Sequence, residues 1–291
     1  MGQGPAVPNP AGRALITGGA GLLASALGPE LEQRGWVVDR LGRERLDITK
    51  EPEVFAAMRK RTPDVVFHCA AYTAVDRAES ERNLAFRVNR DGAGAVARAC
   101  GDRALMVYPS TDYVFSGEAT VPYGPEDSTG PLNAYGASKL AGEELVAEAA
   151  SRYLIARTSW LYGSGGRNFV DRMLELAEGG ANALTVVHDQ TSRPTWSVDL
   201  AEALVDLVEY GATGVYHVAG GGQATWFELA REAFALRGLR VPVEPVTTAA
   251  FGAPAPRPGF SVLDLEGTER VLGRPMRHWR EALSRYLERG P

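Results

Sequence analysis

Tyr135 and Lys139 stand four residues apart in the stretch LNAYGASKLAGE, residues 132–143. On a helix, positions i and i+4 share one face, so the two side chains project together. A free tyrosine has a pKa near 10, too high to exchange protons readily at neutral pH; a cation a few ångströms away favours the phenolate. Lysine suits that task better than arginine, because its ammonium is compact and can also donate to sugar hydroxyls. The chain carries 31 lysines plus arginines, and only Lys50, Lys60 and Lys139 are lysines. A lysine placed here, in a chain that otherwise chooses arginine, stands out from an idle exposed pair. Upstream, MVYPSTDYVF (residues 106–115) runs from an apolar strand into polar residues, putting Ser110, Thr111 and Asp112 at a strand end. A hydroxyl on Thr111 can donate to a carbonyl whose oxygen gains charge during reduction. A loop turn capped by Ser and Asp accounts for one of these residues less awkwardly than for the set.

The second constellation is TGGAGLLA, residues 17–24. Gly18 permits a tight turn, Gly21 lets backbone approach a pyrophosphate on a helix N-terminus, and Ala24 is the small residue where helix meets strand. Glycine-rich turns are common, and this chain has 33 glycines. The turn nevertheless follows a strand, opens a helix and stands at the first β-α junction, as a dinucleotide fingerprint requires. NAD binders place an acid at the end of the second strand, on the ribose 2′-hydroxyl. Here that end reads VDRLGRE; Asp39 comes early, and the tip is Gly42 and Arg43. The planar fork of Arg43 suits a 2′-phosphate and NADPH; a solvated surface arginine reads the same way. Asp47 in the following LDIT is placed to face an adenine.

These residues need a scaffold that brings strand ends together. Apolar runs predict strands at 13–17, 36–41, 64–71, 103–109 and 153–157. Helical spacing follows the glycine turn and recurs at 53–61, 81–100 and 134–150. The alternation means β-α-β units and a parallel sheet with helices on both faces. Beyond residue 158 the pattern is irregular: a glycine-rich loop at 160–168, a strand at 184–188, a helix at 198–210, a strand at 214–218 that can rejoin the sheet, a Pro/Gly loop at 249–259 and a last helix near 279–287. The expected organisation is a tail at 1–12, a dinucleotide-binding core at 13–160 with about 196–220, and a smaller substrate-binding lobe from 161–195 and 221–291.

Composition narrows the function. A net charge of −5 offers no broad basic field to nucleic acid or anionic lipid. No run approaches the ~20 apolar residues of a membrane span, and the first residues lack the pattern of a secretory signal. Cys69 and Cys100 form neither a CxxC pair nor a metal cluster, so a reduced, cytoplasmic setting is expected. The four histidines are scattered, and His68, inside an apolar run, suits a core or backbone-bonded role.

With the Tyr-x-x-x-Lys pair, the glycine turn and the hydroxyl loop all present, the chain resembles the extended short-chain dehydrogenases. Within them it is most similar to the dTDP-4-dehydrorhamnose reductase family. The matching stretches are LDIT (46–49), PDVVFHCAAYTAVDRAES (63–80), STDYVF (110–115), PLNAYGASKLAGE (131–143), RTSWLYG (157–163), DQTSRPT (189–195) and RPGFSVLDL (257–265). The resemblance implies a doubly wound Rossmann core and reduction by NADPH, with NADH also usable, of the C4 ketone of a dTDP-4-keto-6-deoxyhexose. It makes Tyr135 the proton donor and Lys139 its partner, also on the ribose. It has Thr111 polarise the ketone, Asp112 hold a sugar hydroxyl, Trp160 line the sugar pocket and Arg257 face the nucleotide. For the cofactor it implies Gly21, Leu22 and Leu23 under the pyrophosphate, Asp47 and Ile48 beside the adenine, and Ala71, Tyr72 and Thr73 after the third strand.

Three positions depart from the family pattern. Pro109 stands where relatives often carry an aromatic residue, which puts a cofactor contact there in doubt. Ala26 replaces a glutamate through which some relatives bridge a dimer by metal, so no such metal is expected. Tyr113 follows the Thr-Asp pair where dehydratases of the superfamily carry an acid, which argues against elimination. A monomer or homodimer is expected, with no nucleic acid or membrane partner. Two alternatives stay open: a ketoreductase for another dTDP-deoxysugar in natural-product glycosylation, and a non-catalytic NADP-binding regulatory subunit.

Overall fold

A computed structural model describes residues 12–289; most of the expected tail at 1–12 lies outside the described residues. In chain order the strands are β1 Arg13–Thr17, β2 Val37–Leu41, β3 Val65–His68, β4 Leu105–Thr111, β5 Tyr153–Thr158, β6 Leu161–Tyr162, β7 Leu184–Val187, β8 Thr191–Ser192, β9 Thr195–Trp196, β10 Gly214–His217, β11 Ala224–Thr225 and β12 Val243–Val246. The α-helices are α1 Leu22–Gln33, α2 Glu51–Arg61, α3 Val75–Ser80, α4 Arg82–Phe86, α5 Ala93–Cys100, α6 Ala134–Ala149, α7 Phe169–Glu178, α8 Ser197–Glu209, α9 Trp226–Leu236, α10 Thr248–Phe251, α11 Glu266–Leu272 and α12 Trp279–Arg289.

Six strands form one parallel sheet in the order β10-β5-β4-β3-β1-β2. The order steps outward from β1 in both directions, so the chain crosses from one face to the other, as in a doubly wound fold. Side chains alternate between two apolar layers. Ala14, Ile16, Phe67, Val107 and Ala156 pack with Leu23, Leu27 and Leu204 of α1 and α8. Leu15, Val66, Met106 and Ile155 pack with Val54, Val96 and Val146 of α2, α5 and α6. Burial on both faces explains why these strands read as continuous apolar runs. β10 lies at the sheet edge beside β5.

The pairs β6-β9, β7-β12 and β8-β11 lie outside this sheet. They accompany a third apolar cluster with Tyr162, Leu174, Trp196, Phe234, Trp279 and Tyr286.

Several boundaries differ from the expectation. The strand expected at 64–71 closes at His68, because the next residues turn out towards the site. The long helix expected at 81–100 is α4 and α5 joined by a wide π-type segment, Arg87–Gly92. Such a bulge carries one extra residue per turn and often marks a functional site. Within it Asn89 is 1 % exposed and its amide is engaged outside the helix. Pro109 sits inside β4, a position proline usually avoids. Pairing to β3 ends at Val107, so Pro109 lies where β4 is paired only with β5. Helices α7 and α9 were not among the expected elements.

Candidate active site

The carboxyl ends of β1, β3, β4 and β5 open on one side of the sheet, where ligands of such folds bind. Gly18 follows β1 with φ 64°, and a Cβ there would meet the backbone of Ala70 at 2.7 Å. Only glycine fits that turn. Gly21 is the N-cap of α1, with no side chain capping the helix and no acid in its first turn. The N-terminus formed by Leu22 and Leu23 therefore keeps its positive end for an anion. From the other side, the loop after β6 closes on it: a Cβ at Gly166 would lie 3.3 Å from Leu22. This cradle fits the diphosphate of a dinucleotide.

The tip of β2 stands level with the glycine turn, where the Gly19 N–H donates to the Leu41 carbonyl at 2.9 Å. Arg43 is exposed in the turn that follows, and the Glu44 carboxylate folds back over Gly42. Asp39 faces Arg13 and Arg61 at 3.8 and 3.7 Å. Asp47 spends its carboxylate on the N–H and hydroxyl of Thr49, and those bonds hold it below the usual carboxylate range. Ile48 is buried against Gly92. Ala71, Tyr72 and Thr73 form the irregular chain after β3. The Tyr72 N–H donates to the Asn89 side chain at 2.7 Å, and the Asn89 amide donates to the Tyr72 carbonyl at 3.0 Å and the Ser138 hydroxyl at 2.9 Å. Ser138 in turn donates to the Tyr135 carbonyl. Asn89 thus ties the chain after β3 to the helix bearing Tyr135.

α6 starts where it does because Asn133 accepts from the Gly136 N–H at 2.7 Å, and Glu79 accepts from the Ala134 N–H at 2.7 Å. Tyr135 and Lys139 share a face of this helix, but the ammonium is held elsewhere than the spacing suggests. Lys139 Nζ donates to the Pro109 carbonyl at 2.7 Å and lies 3.8 Å above the Tyr108 ring. Burial pushes Lys139 down to about 7, opposed by Glu143 one turn along. Tyr135, expected to be drawn towards the phenolate, is instead pushed up to about 12: burial leads, the charge of Asp112 adds, and a hydrogen bond with Thr111 opposes. Desolvation outweighs the cation here because the cation is committed to Pro109 and Tyr108. Tyr135 is therefore a neutral phenol, the form that can give a proton away. The role of Pro109 lies in its carbonyl.

Thr111 donates to Asp112 at 3.2 Å and accepts from the Tyr113 N–H. Asp112 is 2 % exposed, and Ser192 and Ser261 donate to its other oxygen at 3.0 and 2.5 Å. The resemblance assigns it a sugar hydroxyl; the structure gives both its oxygens protein partners, joining the end of β4 to β8 and to the chain after residue 259. Burial raises it to about 6. Tyr113 sets its ring edge-on to Tyr135, centroids 6.2 Å apart. Ser110 and Thr158 have buried hydroxyls without a partner among the described residues. Thr158 pairs with Thr111 in the sheet, so one unpartnered hydroxyl stands beside the site.

Trp160 follows with φ 43°, a left-handed conformation rare for a bulky residue and costing on the order of 1–3 kcal/mol. Its ring stacks on Trp226 at 3.5 Å and 10°. Arg257 pairs with Asp76 at 2.9 Å and donates to the Ala255 carbonyl at 3.0 Å. His68, buried and pushed down to about 3, takes a side-chain partner, the Thr17 hydroxyl at 2.9 Å.

A family model described as the RmlD substrate binding domain matches residues 12–290. A dTDP-4-dehydrorhamnose reductase of Streptomyces griseus is 44% identical over 285 residues, 95% of this chain and 93% of the relative. The chain belongs to the dTDP-4-dehydrorhamnose reductase family. A second relative of this family's member, a dTDP-4-keto-6-deoxy-D-glucose reductase of Streptomyces niveus, is 40% identical over 94% of this chain and 95% of its own length. Among solved structures, the dTDP-4-dehydrorhamnose reductase of Bacillus anthracis in complex with NADP superposes with a TM-score of 0.92 at 40% identity, covering 96% of this chain and 99% of that one. Relative to the family reading, the spacing pointed to Tyr135, Lys139, Thr111 and the glycine turn, and the structure gathers these at the sheet's carboxyl edge. It missed Asn89, Tyr108, Gln190, Ser192, Trp226 and Ser261. A polar Asn89 inside an alanine-rich helix was the one available signal.

Proposed function

We propose that this protein reduces the C4 ketone of a dTDP-4-keto-6-deoxyhexose, dTDP-4-dehydrorhamnose first among them, with NADPH. The carrying observation is a half-buried Tyr135 that keeps its proton, beside the Thr111 hydroxyl and on the helix face that carries Lys139 one turn along. Bound NADPH supplies the hydride that reaches C4. The Thr111 hydroxyl donates to the ketone oxygen as charge grows on it. The Tyr135 phenol then gives its proton to that oxygen, completing the alcohol, and Lys139, held by the Pro109 carbonyl one helical turn along, is the nearby cation that must turn from that carbonyl to act on the phenolate left behind. Ketone, hydride and proton balance to the secondary alcohol. Arg257, next to Asp76, is the cation for the nucleotide end, and Trp160 is a wall for the hexose. The names of the Streptomyces and Bacillus relatives support both the substrate class and the cofactor.

We infer the same two-part organisation as the sequence suggests, core at 13–160 with 196–220 and lobe at 161–195 with 221–291. The pairing of β10 with β5 supports the first and the third apolar cluster the second.

The test is NADPH oxidation against a panel of dTDP-4-keto sugars, with the product identified by NMR. Tyr135→Phe is expected to lower kcat by roughly 10²–10⁴-fold with NADPH binding nearly unchanged. Turnover within about threefold of the native enzyme would mean that another group is the acid.

A further inference from the structure

Trp226 is the residue of the site region that no assignment above uses. It opens α9, fixed by a capping box in which Thr225 and Glu228 satisfy each other's backbone N–H groups. Its indole N–H donates to Gln190 at 3.1 Å. Gln190 is 4 % exposed and donates onward to the Thr248 hydroxyl at 3.0 Å, which donates to Asp189 at 2.6 Å. Phe169 packs on the same indole, with centroids 4.5 Å apart and the rings tilted by 50°. A tryptophan anchored this way is a rigid wall, and Trp160 lies flat on it. Trp160 holds a backbone conformation that tryptophan rarely adopts, and its carbonyl accepts from the Thr195 N–H at 3.2 Å. Trp160 also comes two residues after Thr158, the sheet partner of Thr111. The depth and tilt of the Trp160 ring are therefore set by its stack on Trp226. Strain held in place by surrounding structure is the pattern of a ligand wall, and the segment that carries it leaves the sheet at Thr158, whose buried hydroxyl has no partner among the described residues.

We propose that Trp226 is a positioning and specificity-determining residue for the hexose. Through its stack on Trp160 it fixes the surface against which the sugar ring rests, and so decides which face of the C4 ketone meets the hydride while its oxygen faces Tyr135. The inference rests on the sugar-nucleotide reading above and adds to it a residue that acts through another.

The experiment compares the native enzyme with Trp226→Leu and Trp226→Phe. It measures the KM for the keto sugar, dissociation constants for NADPH and for dTDP alone by calorimetry, melting temperature, and the C4 configuration of the product by NMR. Trp226→Leu is expected to raise the sugar KM roughly 3–10-fold, the worth of an aromatic stack, and to yield some C4 epimer. NADPH and dTDP constants should stay within about twofold. Trp226→Phe keeps a ring and the fold, so it carries the test alone should Trp226→Leu fail to fold; the same change at smaller size is expected. An unmoved sugar KM with a single product overturns the proposal, as does parallel weakening of all three constants with a fallen melting temperature. A native enzyme that binds NADPH yet reduces no dTDP-4-keto sugar overturns the parent reading and this one with it; native activity with an unaffected Trp226→Leu overturns this one alone.

Discussion

Lys139 has two neighbours that its spacing from Tyr135 does not announce, the Pro109 carbonyl and the Tyr108 ring. Both are weak compensation for taking an ammonium out of water, so its affinity for the proton falls to about 7. That has a consequence for stability. The unfolded chain binds the lysine proton up to about pH 10.5, and the folded chain releases it near 7. Between those values the unfolded state holds more protons, so stability rises with pH. The contribution is fully present above about 10.5 and is lost as pH falls through about 7. Urea unfolding of the ligand-free protein and of Lys139→Met at pH 7 and pH 9.5 isolates it. The native protein should gain roughly 2–4 kcal/mol over the variant across that interval. A flat difference, or one of opposite sign, would show that the ammonium is better solvated than its burial implies.

At the scale of elements, the tip of β2 presents one arginine and one carboxylate side by side. With the cofactor placed as proposed, Arg43 would attract a 2′-phosphate, while Glu44 over Gly42 would repel it and accept from a 2′-hydroxyl. Both groups are exposed, so the pair is screened by salt and worth little. NADPH should be preferred over NADH by about 3–10-fold in kcat/KM at low ionic strength, and less as salt rises. Arg43→Ala should remove the preference and Glu44→Gln enlarge it; steady-state kinetics with both cofactors decides, and equal efficiency in all three proteins would remove Arg43 from the cofactor site. The glycine turn and the apolar strands were legible because they follow local rules: a positive φ needs glycine, and a strand covered on both faces is apolar throughout. The wide turn at Arg87–Gly92 was not, since what favours it is Asn89 reaching Tyr72 seventeen residues earlier. Neither was the stack of Trp226 on Trp160, which joins residues 66 positions apart through no periodic pattern. The i,i+4 rule placed Lys139 on the right face, but its partners on β4 depend on how α6 packs on the sheet.

For the whole molecule, the proposed division into core and lobe makes the contacts between residues 13–160 and the later chain the ones to test. Asp112 at the end of β4 accepts from Ser192 and Ser261 across that seam, while within the lobe Arg193 donates to the carbonyls of Leu263 and Gly222 at 2.6 and 2.7 Å. On the far side Asn133 donates to the Pro256 carbonyl at 2.9 Å and Asp76 holds Arg257. The two serine hydroxyls meet a carboxylate with almost no access to water. Removing that acceptor strands the Ser261 hydroxyl and leaves Ser192 only its weaker bond to the Ser261 carbonyl. Asp112→Ala is therefore expected to cost roughly 2–4 kcal/mol, which for a chain of this length lowers the melting temperature by about 3–7 °C. Because the loss falls on the seam, it should also weaken cooperativity. The native protein should unfold in one calorimetric transition that NADPH raises as a whole, by RT ln(1 + [L]/Kd). In Asp112→Ala the lobe should melt first, and NADPH, held by the glycine turn of the core, should shift chiefly the second transition. A variant that still melts in one step within about 2 °C of the native protein would place the joint elsewhere, with Asn133, bonded across it to Pro256, the next residue to change.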